Sequence, residues 1–435
     1  MSNIKAVKFG GSSLCDAQAI ERAAKIVLSD ETRRYITVSA PGKRFPGDEK
    51  ITDLLYSCFR ATYDEFMFLL EKIKARFDAT IRDLGLRMSL DDDFSELIYG
   101  RRNYFGRDYF VSRGEFFCAK IVADYLGFDF IDASRCVCFD ERGAFLPTET
   151  AAKTSRELSC SENAVIPGFY GSMPGGTIKT FARGGSDITG AIVAAAVGAD
   201  VYENWTDVSG FMSADPKTVH EPKKIDVITY DELRRLSFMG ANVLHEDAVL
   251  PLRQACIPVI IKNTLSPDEK GTRVVYKRTE VGADVCGIAG RGGFAILQVG
   301  KDRIGSGTEE RKRILEILGR RGVGVSGIYS GIDCVAFAVE REGFSERADY
   351  IRNEISQYAE PRYVTLIPKC ALISVVGAAP CKVLTKIFTA VSETGAKILC
   401  IDAGAGEEGV TIGVAEEKIQ DVIRALYKRL IGETE

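Results

Sequence analysis

The chain alternates between short apolar runs and longer segments whose apolar residues recur every three or four positions. The short runs predict six strands, at Ile4–Phe9, Tyr35–Ser39, Phe128–Asp132, Val165–Pro167, Val201–Trp205 and Pro258–Lys262. The longer segments predict helices that include Asp16–Ser29, Ser186–Gly198, Tyr230–Met239 and Glu246–Ala255. Because strands and helices take turns over residues 1–280, the pattern predicts an α/β domain with a mainly parallel sheet sandwiched by helices.

One region inside this domain follows a different period. Between Lys50 and Leu84 the apolar residues keep a helical spacing, which predicts a long helical hairpin or a pair of helices. We interpret it as part of a helical insertion at about residues 50–100 that is either structural or a lid. The polar, turn-rich segment Ser266–Gly271 is the predicted linker to the rest of the chain.

Beyond this segment, one order of strand, helix, strand and strand occurs twice. The first copy reads Ala295–Val299, Thr308–Arg320, Val323–Ile328 and Val335–Val339. The second reads Ala371–Val376, Cys381–Glu393, Ala396–Ile401 and Val410–Val414, followed by a helix at Ile419–Leu430. Such repetition predicts two small α+β units that pair edge to edge, since each alone buries little apolar surface. We expect domains at residues 1–280, 285–360 and 361–435, with room for strand exchange between the last two.

Composition narrows the function. The 435 residues carry a formal net charge of −4 without a basic run, so nucleic acid is not an expected partner. No apolar stretch reaches the roughly 18 residues of a membrane span, and the start shows no signal-peptide pattern. The 12 cysteines are scattered, which argues against zinc and for a reducing compartment, the cytoplasm. With only two histidines, the chemistry must depend on Lys, Arg, Asp and Glu.

Two glycine pairs each stand before a predicted helix, the first after a predicted strand and the second after an extended segment. The first is Gly10–Gly11, with Lys8 before it and Ser12 after it. Glycine lets the backbone approach a ligand closely, and the unpaired N–H groups at a helix start attract anions. The motif therefore fits phosphate binding, although on these residues alone an ordinary tight turn is slightly favoured.

The second glycine pair, Gly184–Gly185, lies between Arg183 and the residues Ser186 and Asp187. Ser186 or Asp187 would serve as the N-cap of the next helix, and for Ser186 this is the favoured interpretation. Arg183 could instead grip a carboxylate through two hydrogen bonds, and Asp187 could orient a lysine that touches phosphate. Two such turns facing each other would give a phosphoryl transfer one helix start for the donor and one for the acceptor.

Three further segments are candidates for ligand contacts. Glu115, in the motif SRGE, is predicted in the first turn of a helix over Phe116–Leu126, where a negative charge is common for structural reasons. An acceptor that bears an ammonium group would need such a carboxylate. Thr206 and Asp207 follow a predicted strand, at the sheet edge where α/β proteins bind ligands. Lys217 offers a second cation for phosphate, and a turn explains the Asp-Pro before it equally well.

These residues leave two functions open. One is an ATP-dependent kinase that acts on a small anionic molecule. The other is a non-catalytic sensor whose sheet domain binds a ligand while the repeats regulate a partner. The chain lacks a GxxxxGK[ST] sequence, which argues against a P-loop enzyme, and lacks GxGxxG after the first strand, which argues against a dinucleotide dehydrogenase.

Taken together, the motifs resemble those of the amino acid kinase family, and among its branches those of the aspartokinases. Their order and spacing match over the first 280 residues, with KFGGSS at 8–13, VSAPG at 38–42, TDLL at 52–55, SRGE at 112–115, RGGSDITG at 183–190, WTDVSG at 205–210, ADPK at 214–217 and MGANVLH at 239–245, and together with the C-terminal repeats the resemblance covers nearly the whole chain. The C-terminal repeats are similar to the paired, ferredoxin-like ACT domains that follow the kinase domain in this branch. The chain is too short to include a fused homoserine dehydrogenase.

The resemblance implies that ATP and L-aspartate give ADP and 4-phospho-L-aspartate, the first step in the biosynthesis of lysine, threonine and methionine. Lys8 would stabilise the phosphoryl group in transfer, and Asp187 would position Lys8. The implied contacts to ATP and its phosphates are Gly10, Gly11, Ser12, Ser39, Thr206, Asp207 and Lys217, and those to aspartate are Thr52, Glu115, Arg183 and Ser186. Because the substrate carboxylate is the nucleophile, no general base is needed, and Mg²⁺ would arrive with the phosphates.

The chain also departs from the family pattern. Many members have Lys at the position of Asn242, Arg at that of Lys217, and proline at that of Glu246. Asparagine in place of that lysine would weaken ATP binding by roughly 1–3 kcal/mol unless another cation compensates. Without compensation, the hypothesis of a non-catalytic sensor would be favoured. The ACT-like units imply a homodimer and feedback inhibition by lysine or, as second choice, threonine, bound near Asp302–Thr308.

Overall fold

The computed structural model describes residues 3–182, 184–241, 246–278, 284–377, 380–403 and 409–432. The chain divides into two compact units. The first comprises Met1–Phe211, Asp226–Tyr230 and Asn242–Arg278, and the second comprises Met212–Ile225, Asp231–Ala241 and Thr279–Glu435. Two short segments of the expected domain 1–280 are therefore grouped with the second unit.

The first unit is built on an eight-stranded sheet. Its strands are β1 (Lys5–Phe9), β2 (Arg33–Val38), β3 (Asp129–Phe130), β4 (Ala164–Pro167), β7 (Val201–Thr206), β8 (Val227–Thr229), β9 (Val259–Asn263) and β10 (Thr272–Val275), and a separate hairpin joins β5 (Tyr170–Ser172) to β6 (Ile178–Thr180). The order across the sheet is β3-β4-β2-β1-β7-β9-β10-β8, and neighbours are parallel except β9 with β10. All six predicted strands are present, and the mainly parallel sheet is confirmed.

The segment Ser266–Gly271 is not a linker between domains. It connects β9 to β10, which pair antiparallel in the same sheet, with Thr272 opposite Ile261. Polar turn residues predict that the chain reverses, but they do not show whether the next strand returns to the sheet that the chain has just left. The strands β8 and β10 were not predicted, because strands of only three or four residues show too little alternation of apolar and polar positions.

The helices of the first unit are α1 (Ala17–Leu28), α2 (Ile51–Arg60), α3 (Tyr63–Asp83), α4 (Asp91–Arg102), α5 (Arg107–Leu126), α6 (Pro147–Leu158), α7 (Gly185–Ala196) and α9 (Glu246–Gln254). A further helix, α8 (Tyr230–Phe238), begins in this unit, and its residues beyond Tyr230 are grouped with the second unit. The predicted pair of helices over Lys50–Leu84 is confirmed as α2 and α3. The insertion is anchored on α5 by aromatic side chains, because Phe66 and Phe77 of α3 meet Phe110 and Phe117 edge to face, with ring centroids 6.1 Å and 5.4 Å apart.

Helix α5 begins at Arg107, well before the predicted start at Phe116. The prediction was wrong because Gly114 was taken as the residue before the helix. A side chain at Gly114 would meet the Cβ of Ala40 at 2.8 Å and Ile51 at 3.2 Å. The glycine is thus a packing position inside the helix, where α5 passes close to its neighbours.

The second unit contains a six-stranded antiparallel sheet of order β12-β13-β11-β14-β16-β15. Its strands are β11 (Gly287–Gly300), β12 (Val325–Ser330), β13 (Cys334–Glu340), β14 (Tyr363–Val376), β15 (Cys400–Asp402) and β16 (Gly409–Ala415), and its helices are α10 (Thr308–Arg320), α11 (Ala348–Ala359), α12 (Leu384–Glu393) and α13 (Ile419–Tyr427). Both predicted repeats are present. The long strands β11 and β14 lie side by side at the centre, where β11 also pairs with β13 of the first repeat and β14 with β16 of the second. Each long strand therefore extends the sheet of the other repeat.

Among the residues that the structure describes, no helix is both long and apolar enough to cross a membrane.

Candidate active site

The first glycine pair forms a turn at the carboxyl end of β1. A short 3-10 helix, Gly11–Leu14, comes between this turn and α1. A side chain at Gly11 would lie 2.6 Å from the carbonyl oxygen of Ala40, so only glycine allows the segment after β2 to pack here. The N–H of Gly10 donates to the carbonyl oxygen of Trp205 at 3.0 Å. The expectation that Gly10 offers its N–H to phosphate is therefore wrong, because the neighbouring strand already uses that donor.

The second glycine pair opens α7. Gly184 has φ of 61° and is the N-cap of the helix, without a side-chain cap. The predicted N-cap at Ser186 or Asp187 is therefore wrong, because the left-handed Gly184 starts the helix earlier. A side chain at Gly185 would meet the ring of Phe169 at 2.7 Å, which fixes glycine at that position too. Arg183 lies outside the described residues.

An ion pair joins the two turns. Lys8 Nζ lies 2.6 Å from Oδ1 of Asp187, and both side chains are largely buried. Asn204, which is opposite Lys8 in the pairing of β1 with β7, donates its Nδ2 to the same carboxylate oxygen at 3.3 Å. Lysine, aspartate and asparagine thus come from three elements that meet at one end of the sheet. The sequence predicted that Asp187 could orient a lysine, and the lysine it contacts is Lys8.

An open cleft of about 590 Å³ separates the two turns at the carboxyl ends of β1, β2 and β7. Eleven of the predicted site residues line it: Lys8, Gly10, Gly11, Ser12, Ser39, Thr52, Glu115, Ser186, Asp187, Thr206 and Asp207. These residues are far apart in sequence and come together because parallel strands end at one edge of the sheet. The prediction that both glycine turns border one gap is confirmed.

The remaining predicted positions lie elsewhere. Lys217 belongs to a segment that is grouped with the second unit. Its backbone N–H donates to Oδ1 of Asp215 at 2.9 Å, as the turn interpretation of Asp-Pro requires. Asn242 and His245 lie outside the described residues. The segment Asp302–Thr308 forms a turn that leads into α10, with Ile304 buried.

Glu115 reaches the cleft from the middle of α5, not from its first turn. Its side chain is almost fully buried, and its Oε2 has no hydrogen-bond partner among the described groups. Burial raises the pKa of Glu115 to about 8, against the opposing effects of backbone N–H groups, including that of Ala40, and of the Arg113 charge. Arg113 itself is buried among the rings of Tyr109 and Phe116, at 4.7 Å and 4.3 Å from their centroids. Within the described part of the chain, the carboxyl therefore has no cation that pairs with it directly.

A sequence profile of the amino acid kinase family matches residues 3–263. The chain belongs to the amino acid kinase family. Its similarity to aspartokinases extends beyond the kinase region: Aspartokinase 3 of Bacillus subtilis is 34% identical over 452 aligned residues that cover 99% of either chain.

Solved aspartokinase structures share the whole fold with this family member. The aspartate kinase of Clostridium acetobutylicum superposes with a TM-score of 0.87 at 37% identity, covering 99% of this chain and 100% of that one. Escherichia coli aspartokinase III, solved with aspartate and ADP, gives 0.80 at 25% identity over 98% of this chain and 100% of that one. The same enzyme with lysine and aspartate gives 0.72, over 98% and 99%. Within the amino acid kinase family, the chain is placed with the aspartokinases.

One wall of the cleft includes basic residues that were not among the predicted site residues, although they follow the motif VSAPG at 38–42. The segment Ala40–Lys50, between β2 and α2, contributes Pro41, Gly42, Lys43 and Lys50 to the lining. Phe169 and the second glycine pair complete the opposite side. A signal was present, since the segment directly follows a predicted strand and contains two glycines and three basic residues between 42 and 50. It was overlooked because exposed basic residues in a loop are common and point to no ligand by themselves.

Proposed function

We propose that this chain transfers the γ-phosphoryl group of ATP to the side-chain carboxylate of L-aspartate, giving ADP and 4-phospho-L-aspartate. The observation that carries the proposal is the buried Lys8–Asp187 pair between two glycine turns that border one cleft. Phosphoryl transfer is catalysed mainly by positioning and by fixed positive charge, and this cleft provides both. The relatives support the acceptor, because the E. coli enzyme was solved with aspartate and ADP.

In this proposal, Lys8 stabilises the charge on the phosphoryl group while it is transferred. The carboxylate of Asp187, which also accepts a hydrogen bond from Asn204, fixes the ammonium group of Lys8 in place. The other hydrogens of the ammonium group would be available to a ligand. The γ-phosphorus and the attacking oxygen would lie in line between the two turns. The acceptor carboxylate is ionised near neutral pH and needs no base to activate it, so the cleft requires no histidine.

Aspartate would bind at the Glu115 end of the cleft. Glu115 would take the substrate ammonium group, Arg183 its α-carboxylate, and Thr52 and Ser186 would help to hold it. The buried Oε2 has no partner among the described groups, which supports this role for Glu115. Buried polar atoms are normally hydrogen-bonded, and the substrate ammonium would supply the missing donor. An ammonium in this position would favour the ionised carboxyl and form a charge-assisted hydrogen bond with it.

ATP would bind along the ends of β1 and β7. Gly11 and Ser12 would approach the phosphates, with Ser39 beside them, and Thr206 and Asp207 would contact the rest of the nucleotide. Lys217 remains a proposed further contact. The described residues contain no group of three or more His, Cys, Asp or Glu side chains that could hold a metal. A Mg²⁺ ion carried by the phosphates and water fits such a cleft, and it would neutralise charge on the oxygens of the transferred group.

The proposed organisation follows the aspartokinases. Residues 1–280 would form the kinase domain, and 285–360 and 361–435 two ACT domains that exchange strands. We further propose feedback inhibition by lysine, or else threonine, near Asp302–Thr308, a homodimer, and a cytoplasmic location. The lysine complex of the E. coli enzyme supports lysine as the first choice. An assay with millimolar lysine or threonine tests this, and no inhibition by either would remove the regulatory claim.

The decisive experiment measures ADP release with aspartate, glutamate, acetylglutamate and uridylate side by side. Turnover with aspartate alone is the expected result. Turnover with another acceptor only would place the chain in a different branch of the same family. Binding of an amino acid without any turnover would favour the non-catalytic sensor instead.

A further inference from the structure

One arginine of the helical insertion supports a wall of the cleft. Arg76, on α3, is 9% exposed. Its guanidinium donates to the carbonyl oxygens of Glu49 at 2.9 Å and Cys15 at 3.1 Å, and also to that of Gly42. Cys15 follows the first glycine turn, and Gly42 and Glu49 lie at the two ends of the loop between β2 and α2. A buried guanidinium needs such acceptors, so its position and that of the loop ends are fixed together.

Hydrogen bonds between Arg44 and Asp48 hold the loop between these ends together. Arg44 donates to Asp48 through its backbone N at 3.1 Å, its Nε at 2.8 Å and its Nη2 at 2.9 Å. The hydrogen bonds from Arg44 hold the pKa of the Asp48 carboxyl well below its usual range. Asp48 also lies 3.4 Å from Nη1 of Arg76. The loop therefore has a defined shape before any ligand binds.

The same loop is packed on the first glycine turn. The N–H of Gly42 donates to the carbonyl oxygen of Gly11 at 2.7 Å. A side chain at Gly42 would come within 2.8 Å of the backbone carbon of Gly11. Two glycine backbones thus touch directly, and a shift of the loop would shift the turn that we assign to phosphate binding.

Two lysines follow two of the three residues whose carbonyl groups accept hydrogen bonds from Arg76. Lys43 comes directly after Gly42, and Lys50 directly after Glu49, and both line the cleft. Both are exposed, and neither forms an ion pair within the part of the chain that the structure describes. They differ in this from Lys8, whose charge is balanced by Asp187. The cleft lining therefore carries two lysine charges that form no ion pair with a described carboxylate, against one further lining carboxylate, Asp207, besides Asp187 and Glu115.

We propose that Lys43 and Lys50 bind the phosphates of the nucleotide, and that Arg76 is the residue that positions them. The inference rests on the proposed function, because it needs a nucleoside triphosphate in this cleft. A triphosphate remains anionic even with one Mg²⁺ bound. The pair of Lys8 with Asp187 adds no net charge, so other cations must balance the phosphates. Gly42 lies against the phosphate turn, which places the start of the loop on the donor side.

The first experiment replaces the two lysines. We expect Lys43→Gln and Lys50→Gln each to weaken the binding of ADP and of MgATP, measured by calorimetry, by about tenfold, the size of one lost charge-assisted contact. The double variant should lose more than either single variant and show a weaker dependence of binding on salt. The KM for aspartate should stay unchanged. Lys153→Gln, an exposed lysine of α6 outside the cleft lining, is the matched control.

The second experiment tests the role of Arg76. Arg76→Lys keeps the charge but cannot reach three carbonyls, so nucleotide affinity should fall although Lys43 and Lys50 are intact. In the background of the double lysine variant, the same change should cost little further affinity. Lys72→Gln is the control, since Lys72 extends from the same helix to the side chain of Glu49. Thermal unfolding of each variant shows whether a loss of affinity reflects a loss of the fold.

The outcomes separate this inference from the proposed function. Calorimetry needs no turnover, so a wild-type chain that binds nucleotide but does not phosphorylate aspartate would refute the proposed function and leave the lysines testable. Nucleotide affinity unchanged in the folded double variant would overturn the inference, as would a KM for aspartate that rises in its place. An equal loss from Arg76→Lys with and without the lysines would refute the positioning role alone.

Discussion

The cleft lining includes two largely buried carboxyl groups in opposite states, and each with its surroundings is called here the Asp187 end and the Glu115 end. Asp187 contacts Lys8 at 2.6 Å and accepts a hydrogen bond from Asn204. Among the described groups, Glu115 has no direct cationic partner and its Oε2 is unpaired, and burial raises its pKa to about 8. The Asp187 end is complete without a ligand, whereas the Glu115 end can accept one positive charge.

This difference assigns different work to the two ends. A carboxylate that already has its cation acts on that cation, which is the role of a positioning residue for Lys8. A buried carboxyl without a cation is costly to ionise and is ready for a charged donor from outside. The amino acid acceptor supplies such a donor in its ammonium group. Under the proposed function, this contrast would let the cleft select an amino acid over another carboxylate.

The largest effect should come from substitutions in the Lys8–Asp187 ion pair, at the end of the cleft that is complete without a ligand. We expect Lys8→Met and Asp187→Asn each to lower kcat by about 10²–10³, because a fixed electrostatic contact to the transferred group is lost or misplaced. ADP release with saturating aspartate measures the loss. The control is Lys5→Gln on the same strand, whose lysine pairs with Asp30 at 2.6 Å and is not part of the cleft lining. Full activity of the folded Lys8→Met protein would contradict the assigned role.

A substitution of Glu115 should weaken the binding of aspartate and leave the binding of ATP unchanged. Glu115→Gln keeps the shape and the neutral form of the side chain but cannot offer a charge to the ammonium. We expect the KM for aspartate to rise by roughly 30–100-fold, the size of one buried hydrogen bond between charged groups, with the KM for ATP unchanged. Initial rates at varied aspartate and varied ATP separate the two constants. A rise confined to the KM for ATP would place Glu115 with the nucleotide and remove the contrast.

Proton release sharpens the same contrast. If Glu115 is protonated in the free protein near neutral pH and ionised beside an ammonium, each aspartate that binds should release close to one proton. Calorimetry in two buffers with different ionisation enthalpies counts these protons. Glu115→Gln should release none, and the Asp187→Asn variant should behave as the wild type. Equal release by the wild type and the Glu115→Gln variant would show that the proton comes from another group.

The free energy of unfolding should also depend on pH through Glu115. A glutamate carboxyl in water has a pKa of 4.5, and in the fold the pKa of Glu115 is about 8, so between these values the folded state binds more protons than the unfolded state. Stability therefore falls as the pH rises through this window and is lost no further above about 8. Urea unfolding of the wild type and Glu115→Gln at about pH 5 and about pH 8 should show the variant gaining relative stability at the higher pH, by an amount on the order of a kcal/mol or more.

Much of the cleft could be predicted from the sequence because its residues follow strands. Lys8, Gly11, Ser39 and Thr206 all stand at or just after the carboxyl ends of strands with clear apolar patterns, and parallel strands bring such ends together. The two glycine pairs were visible for the same reason. The repeats of the second unit were also predictable, since the apolar positions recur in the same order twice.

Other features depend on contacts between distant segments and left no local signal. The N–H of Gly10 is used by Trp205, which belongs to a strand some two hundred positions away in the chain. The N-cap of α7 at Gly184 depends on a left-handed backbone conformation, and the Ser-Asp sequence that follows gives no sign of it. Arg76 has the periodicity of an ordinary helix residue, and only the folded chain shows the three carbonyls at its guanidinium.

The smallest expected effect tests the packing that holds the Glu115 end in place. Inside a helix, alanine is favoured over glycine by about 1 kcal/mol. The control is therefore Gly319→Ala on α10, where a new Cβ meets nothing within 4 Å and should stabilise the protein. At Gly114 a Cβ would lie 2.8 Å from Cβ of Ala40, and overpacking of this kind costs about 1–3 kcal/mol, which outweighs the gain in helix propensity. Gly114→Ala should therefore destabilise the protein in urea and raise the KM for aspartate, because it displaces Ala40, whose N–H interacts with the Glu115 carboxyl. A stabilised Gly114→Ala protein with an unchanged KM would mean that the segment after β2 yields easily, and that the Glu115 end is not held by packing.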